Sequence, residues 1–97
     1  MSKSKAYQAE LIEGLRDSQE VEAYLNAALE GDDPELFLVA LRNVAEAKGG
    51  VAQLAGKTKL NRESLYKMLS ARGNPEFKSL DALLHALGVR LAVTVAR

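Results

Sequence analysis

Four polar residues on one short predicted helix are the best candidates for chemistry in this chain. Arg62, Glu63, Tyr66 and Lys67 surround the apolar residue Leu65, which a period of 3.6 residues places on the other side of the helix. Arginine and lysine donate to guanine edges, and a carboxylate accepts from cytosine or orients a neighbouring arginine. Their spacing therefore predicts a face that reads the bases of duplex DNA.

Neutral donors and flanking cations extend this predicted face. The neutral side chains suit phosphate oxygens or a thymine methyl, and the cations suit the phosphate backbone. Any one of them is explained about equally well as an ordinary exposed polar residue, but their clustering around one helix favours an interface. The complete set of predicted DNA-binding residues is Asn61, Arg62, Glu63, Ser64, Tyr66 and Lys67, with Lys57, Lys59 and Arg72 as phosphate contacts.

Residues 53–69 have the pattern of a helix-turn-helix. We expect a first helix over about residues 51–57 and a second from Asn61, as N-cap, to Ser70. Ala55 is small enough to let the two helices cross closely, and leucines supply the apolar contacts between them. Lys59 stands where such turns commonly have glycine, because the backbone there favours a left-handed conformation; the cost of a side chain is about 1 kcal/mol.

Three further helices are predicted from apolar periodicity and end signals. Asp17 with Glu20 resembles a capping box, and the helix that follows ends at Gly31. Asp33 before a proline starts the next helix. The expected helices are 18–30, 34–48, 51–57, 61–70 and, from Ser79 as its cap, 79–87. The fold class is therefore all-α, a five-helix domain over residues 18–88.

The two terminal segments lack the helical pattern of the five-helix domain. Residues 1–17 contain Leu11, Ile12 and Leu15 but no sustained helical stripe, so we expect a flexible or partner-ordered arm. Residues 89–97 alternate apolar and other residues, which predicts a C-terminal β-strand. A single strand leaves backbone groups unpaired, so its partner strand comes either from the N-terminal arm or from a second copy of the chain.

The formal net charge of zero hides an asymmetry between the two halves. Residues 1–48 hold five Lys/Arg and ten Asp/Glu, a balance of 5 − 10 = −5, whereas residues 49–97 hold eight and three, or 8 − 3 = +5. A basic half that contains the predicted base-reading helix fits duplex binding through counterion release. The competing explanation is two solvated surfaces with chance charge.

Several function classes have little support in these 97 residues. With no cysteine and a single histidine, His85, away from the apolar stripe, we expect neither a metal site nor a cofactor. No Ser/His/Asp arrangement or glycine-rich phosphate loop is evident, and the carboxylates sit at helix starts, so we expect no enzyme. The chain also has no apolar run of about 20 residues, which predicts a soluble cytoplasmic protein without membrane contact.

A family resemblance is carried by several short runs. The chain resembles the addiction-module antidote proteins, which are similar to Xre-type, HigA-like antitoxins with a lambda-repressor-like DNA-binding domain. The similarity covers roughly residues 18–93. The runs are 24–30, 33–37, 53–55, 61–67 (Asn-Arg-Glu-Ser-Leu-Tyr-Lys), 73–75 (Gly-Asn-Pro) and 86–88.

The resemblance implies an antitoxin of a type II toxin-antitoxin module. Such a protein neutralises a RelE-like toxin, typically an mRNA-cleaving ribonuclease, and represses its own operon as a homodimer on a palindromic operator. The acidic half, with the apolar residues of the arm, is then the expected toxin-binding side. Two alternatives remain: a free-standing phage-type repressor without a toxin, and the nuclease itself.

Overall fold

Six α-helices make up most of the structure. The computed structural model describes residues 3–70 and 74–96, with side chains from residue 5 onward. The all-α class is confirmed, but the predicted count of five helices is wrong, and no β-strand is present in the described ranges. The helices are α1 (Lys3–Gly14), α2 (Ser18–Glu30), α3 (Pro34–Ala47), α4 (Val51–Thr58), α5 (Arg62–Met68) and α6 (Phe77–Ala86).

The starts of α2 and α3 are fixed by the aspartates expected there. A helix leaves its first backbone N–H groups without partners, and a side-chain oxygen at the N-cap satisfies one of them. Asp17 accepts from the backbone N–H of Gln19 at 2.9 Å, and Asp33 accepts from that of Glu35 at 3.0 Å. The predicted cap of the last helix is wrong: Ser79 lies inside α6, which follows an extended residue at Glu76 without a side-chain cap.

One apolar core joins the helices. α2 packs on α3, α3 reaches α4, and α4 contacts both α5 and α6. None of the described polar or charged residues is buried. The large side chains that are essentially inaccessible are Val21, Leu41, Val44, Leu54, Leu65, Leu83 and Leu87. Leu83 and Leu87 of the last predicted helix therefore lie in the core, whereas Leu29 of α2 is 54% exposed.

The expected flexible arm is instead the helix α1, which packs on α3. Leu15, just after α1, is only 2% exposed, and Leu11 packs against the same core. Polar bonds add to this contact: Gln8 donates to Asn43 at 3.0 Å, and Asn43 donates to the Tyr24 hydroxyl at 2.8 Å. α1 contacts the core through few apolar residues and through this series of hydrogen bonds. Its sequence therefore lacks the apolar stripe from which an amphipathic helix is predicted.

The C-terminal segment has neither helix nor strand. Val89 still donates to the carbonyl of Leu84 at 3.0 Å, but no backbone hydrogen bond joins residues 90–96 to the rest of the described chain. The predicted strand is therefore absent from the single chain, since an isolated strand has no pairing partner. α1 is helical, so it does not supply one. Val93 and Val95 remain 98% and 90% exposed.

We expect Leu15→Ala to lower the free energy of unfolding by about 2–5 kcal/mol, because it removes a buried side chain and leaves a cavity. Tyr7→Ala is the matched control on the same helix, since Tyr7 is 69% exposed; it should change stability by less than about 0.5 kcal/mol. Urea unfolding followed by circular dichroism measures both. Equal stabilities of Leu15→Ala and the parent would contradict the packing of α1.

Candidate nucleic-acid interface

The two helices predicted within residues 51–70 are present as α4 and α5 and pack against each other. α5 ends at Met68, two residues before the predicted end. Its inner side is fully engaged: Leu65 is 0% exposed, Met68 5%, and Leu69 just beyond it 4%. Leu54 of α4 is equally buried in the same cluster. This apolar anchoring fixes which side of the short helix α5 faces solvent.

The turn between α4 and α5 depends on a left-handed residue. Lys59 has φ 65° and ψ 3°, and among the described residues it is the non-glycine residue with positive φ. The sequence had marked this position as one that glycine usually fills. Thr58 supports the turn by accepting from the backbone N–H of Leu60 at 3.1 Å. The lysine therefore carries backbone strain that glycine would not.

Asn61 is a structural residue as well as a candidate contact. Its side-chain oxygen accepts from the backbone N–H of Ser64 at 2.7 Å, which caps α5 as predicted. The bond to Ser64 holds this side chain in place, and the amide NH2 group of Asn61 remains available as a donor to a ligand. Ser64 itself is exposed in the first turn of α5.

The four principal candidates form one solvent-facing surface on α5. Arg62, Glu63, Tyr66 and Lys67 are all exposed, with Tyr66 at 63%. In the described part of the chain no hydrogen bond or salt bridge engages their side chains. Donors and acceptors held in water on a rigid helix can exchange that water for base or phosphate groups. We call this surface the α5 face.

The flanking cations are placed less completely. Lys57, near the end of α4, and Lys59, in the turn, are both exposed beside the α5 face in sequence. The third predicted phosphate contact, Arg72, lies outside the described residues. The structure thus places eight of the nine predicted DNA-binding residues on α5, in the turn before it or at the end of α4.

Arg42 is a positioning residue that the sequence pattern did not reveal. It lies on α3, and its Nε donates to the backbone carbonyl of Leu69 at 2.7 Å. The last carbonyls of a helix have no partner within the helix, so this charged donor satisfies one at the end of α5. A bond across 27 residues leaves no local sequence signal.

The remaining candidates for chemistry are isolated. His85 is exposed on α6, where its Nδ1 lies 2.9 Å from the Asp81 carbonyl oxygen and 3.6 Å from the Asp81 carboxylate. The described residues contain no group of three or more metal-binding side chains. No helix among them has the length and apolarity that crossing a membrane requires.

Comparison with known proteins identifies the family. Residues 5–95 match the family described as probable addiction module antidote protein. The chain belongs to this family. The match takes in α1, so it extends beyond the span over which the sequence motifs carry the resemblance. Membership in an antidote family implies a toxin as partner, and a regulatory rather than an enzymatic role.

A relative from Haemophilus influenzae (strain ATCC 51907 / DSM 11121 / KW20 / Rd) is 36% identical over 88 residues. These cover 91% of this chain and 90% of the relative, which is described as an uncharacterized protein. No solved structure matches the chain. The similarity therefore extends over essentially the whole antidote fold.

We expect Lys59→Gly to raise the free energy of unfolding by about 1 kcal/mol, because glycine adopts the left-handed turn without the Cβ clash. Lys57→Gly is the matched control: it removes the same side chain from inside α4 and should lower stability by about 1 kcal/mol. Thermal and urea unfolding measure both. Destabilisation by Lys59→Gly would contradict the turn geometry.

Proposed function

We propose that this antidote protein is a cytoplasmic antitoxin of a type II toxin-antitoxin module, of the Xre-type, HigA-like class. In this proposal it neutralises a RelE-like toxin and represses its own operon by binding operator DNA. The observation that carries the proposal is the antidote-family match over residues 5–95, on a chain whose α5 face presents unengaged cationic and polar groups.

The DNA-binding part rests on the way α5 is held. Leu65 and Met68 bury its inner side, Asn61 caps its start, and Arg42 binds the carbonyl of Leu69 after its end. Together these interactions fix the position and orientation of α5. Direct readout requires this, because the donors must lie within hydrogen-bond distance of the base edges. We propose that α4 and α5 act as a helix-turn-helix with α5 in the major groove.

Roles within the α5 face follow from side-chain chemistry. Arg62 lies in the first turn of α5, where recognition helices usually contact bases, and it can donate two hydrogen bonds to guanine. Lys67 offers a second donor, and Glu63 an acceptor for cytosine. Ser64, Tyr66 and the amide NH2 of Asn61 suit phosphate or thymine. Lys57, Lys59 and Arg72 are proposed as phosphate contacts.

A homodimer completes the proposal. One helix reads only a few base pairs, so useful specificity needs two half-sites about one helical turn apart. The backbone of residues 90–96 has no partner in the described chain, and Val93 and Val95 are exposed almost completely. We propose that these segments of two copies pair across a two-fold axis, which satisfies the backbone and covers the valines.

The toxin side of the proposal rests on charge and on the family. RelE-like toxins act on RNA and are therefore expected to be basic. Residues 1–48, with a balance of −5, are their electrostatic complement, whereas the basic half is committed to DNA. The expectation of a flexible or partner-ordered arm over residues 1–17 is wrong for the described part of that segment, because α1 already packs on α3 and Leu15 is buried.

We expect Arg62→Ala/Lys67→Ala to lose specific binding to the protein's own promoter DNA. Each good base contact contributes about 1–3 kcal/mol, so the double variant should bind at least about tenfold more weakly. Lys5→Ala/Arg16→Ala changes the net charge equally on the α1 side and should bind like the parent. Fluorescence anisotropy at two salt concentrations measures this. Parent-like affinity and specificity of the Arg62/Lys67 variant would exclude the α5 face.

The dimer predicts that Val93→Lys/Val95→Lys shifts the protein to monomers, because two like charges would oppose each other in the paired segments. Ala92→Lys/Ala96→Lys carries the same charge on the alternate positions. It should dimerise more strongly than the valine variant. Sedimentation equilibrium measures both. A valine variant that remains as dimeric as the parent would place the interface elsewhere.

The antitoxin role is tested by growth rescue. Co-expression with the protein encoded beside this gene should restore growth that the neighbour alone suppresses. Arg62→Ala/Lys67→Ala should rescue equally, because neutralisation does not need DNA readout in this proposal. A neighbour without toxicity, combined with operator binding by the parent, would instead favour a free-standing phage-type repressor.

A further inference from the structure

We infer that the toxin docks in an apolar groove between α2 and the C-terminal segment, which we call the α2 groove. This inference rests on the proposed antitoxin function and assigns its partner a surface. The groove lies outside the α5 face and the α1–α3 contact, and Val93 and Val95, which the proposed dimer covers, do not line it. Its apolar lining comes from Leu25, Leu29 and Phe37 of α2 and α3, and from Leu84, Val89 and Leu91 of α6 and the C-terminal segment.

The fold buries only some of the apolar side chains that line the groove. Leu25 and Leu84 are buried and form its floor, at 5% and 3% exposure. Leu29 is 54% exposed and Leu91 37%, so both have surface left for a partner. A concave apolar surface with a packed floor and accessible walls is the form that an inserted helix or ridge needs.

The charge around the groove identifies the class of partner. Residues 17–41 carry seven Asp/Glu and no Lys, Arg or His, a balance of 0 − 7 = −7. Glu22 and Glu30 line the groove directly, together with one cation, Arg90. An excess of this size on one helix pair attracts a basic surface and repels nucleic acid.

Three of these carboxylates have no evident role within the described chain. Asp17 and Asp33 are used as helix caps, and Glu20 and Glu35 lie in the first turns of α2 and α3, where the helix dipole stabilises a negative charge. No hydrogen bond or salt bridge within the described ranges engages the carboxylates of the other three, which are Glu22, Glu30 and Asp32. Like charges concentrated without counter-charges destabilise a compact fold, so a basic partner that neutralises them would stabilise the folded chain. We therefore assign the groove to a basic, RNA-binding protein that inserts an apolar ridge flanked by Lys and Arg.

The apolar contribution is tested with Leu29→Ser in the full chain. Binding to the purified protein of the neighbouring gene, measured by biolayer interferometry, should weaken by about tenfold or more. Leu36→Ser is the matched control, since Leu36 is 52% exposed and does not line the groove. It should bind within about twofold of the parent. Equal effects of the two variants would overturn the assignment.

The electrostatic contribution is tested with Glu22→Gln/Glu30→Gln. Its association rate should fall, and the dependence of that rate on salt should become shallower, because two carboxylates no longer attract the partner. Glu10→Gln/Glu46→Gln removes the same charge on α1 and α3 and should have the smaller effect. An equal or larger effect of the control pair would place the acidic contact outside the groove.

Other possible occupants of the α2 groove predict different results for Leu29→Ser. If Leu29→Ser converts a dimer into monomers in sedimentation, the groove belongs to a second copy, and the inference is wrong. If the parent neutralises the neighbouring toxin and Leu29→Ser does so at equal strength and affinity, the inference alone fails. If the parent itself neither binds nor neutralises that protein, the antitoxin proposal fails with it.

Discussion

The burial of Leu54 and Leu65 is the constraint on which the rest of the structure depends. Both are inaccessible in one cluster with the leucines of α6, so α4 holds α5 on one side and α6 on the other. α5 has seven residues, which is too short for a helix to be stable in water by itself. Tertiary contact therefore forms the helix and determines which residues it leaves in solvent. The exposure of the polar residues of the α5 face is the consequence.

Local signals predicted the central helices well because their causes are local. An aspartate before a helix, a proline in its first turn and glycines after it act through the nearest backbone groups. Residues 17–34 therefore fold as their sequence predicts. Lys59 is similar: its left-handed backbone follows from the length of the turn, so the position was identifiable although the residue type is unusual.

The features that were missed depend on contacts distant in sequence. α1 is held by Leu15 and by the bond from Gln8 to Asn43, a separation of 35 residues that periodicity does not detect. The bond from Arg42 to the Leu69 carbonyl is of the same kind. The strand prediction failed for the opposite reason. Alternation of apolar and other residues shows that a segment can form a strand, but it does not supply the second strand. The described part of the single chain contains no such partner for residues 90–96.

Charge divides the molecule into two surfaces. Residues 17–41, which cover α2 and the first part of α3, carry a charge of −7, while the α4–α5 region supplies exposed cations. In the described residues no salt bridge joins the two regions, and the contact between His85 and Asp81 lies within α6, so the opposite charges of the two regions do not neutralise each other. Uncompensated charge of both signs on one small domain suits a protein with two partners of opposite charge. DNA and a basic toxin are such a pair.

The central proposal is that DNA and the toxin bind to separate surfaces of one chain, the α5 face and the α2 groove, so that both can be bound at the same time. Size-exclusion chromatography with multi-angle light scattering tests it on a mixture of the protein, the neighbouring toxin and a duplex carrying the protein's own operator. The account predicts one ternary complex whose mass is the sum of its components. Release of the DNA when the toxin binds, with only the two binary complexes present, would contradict it.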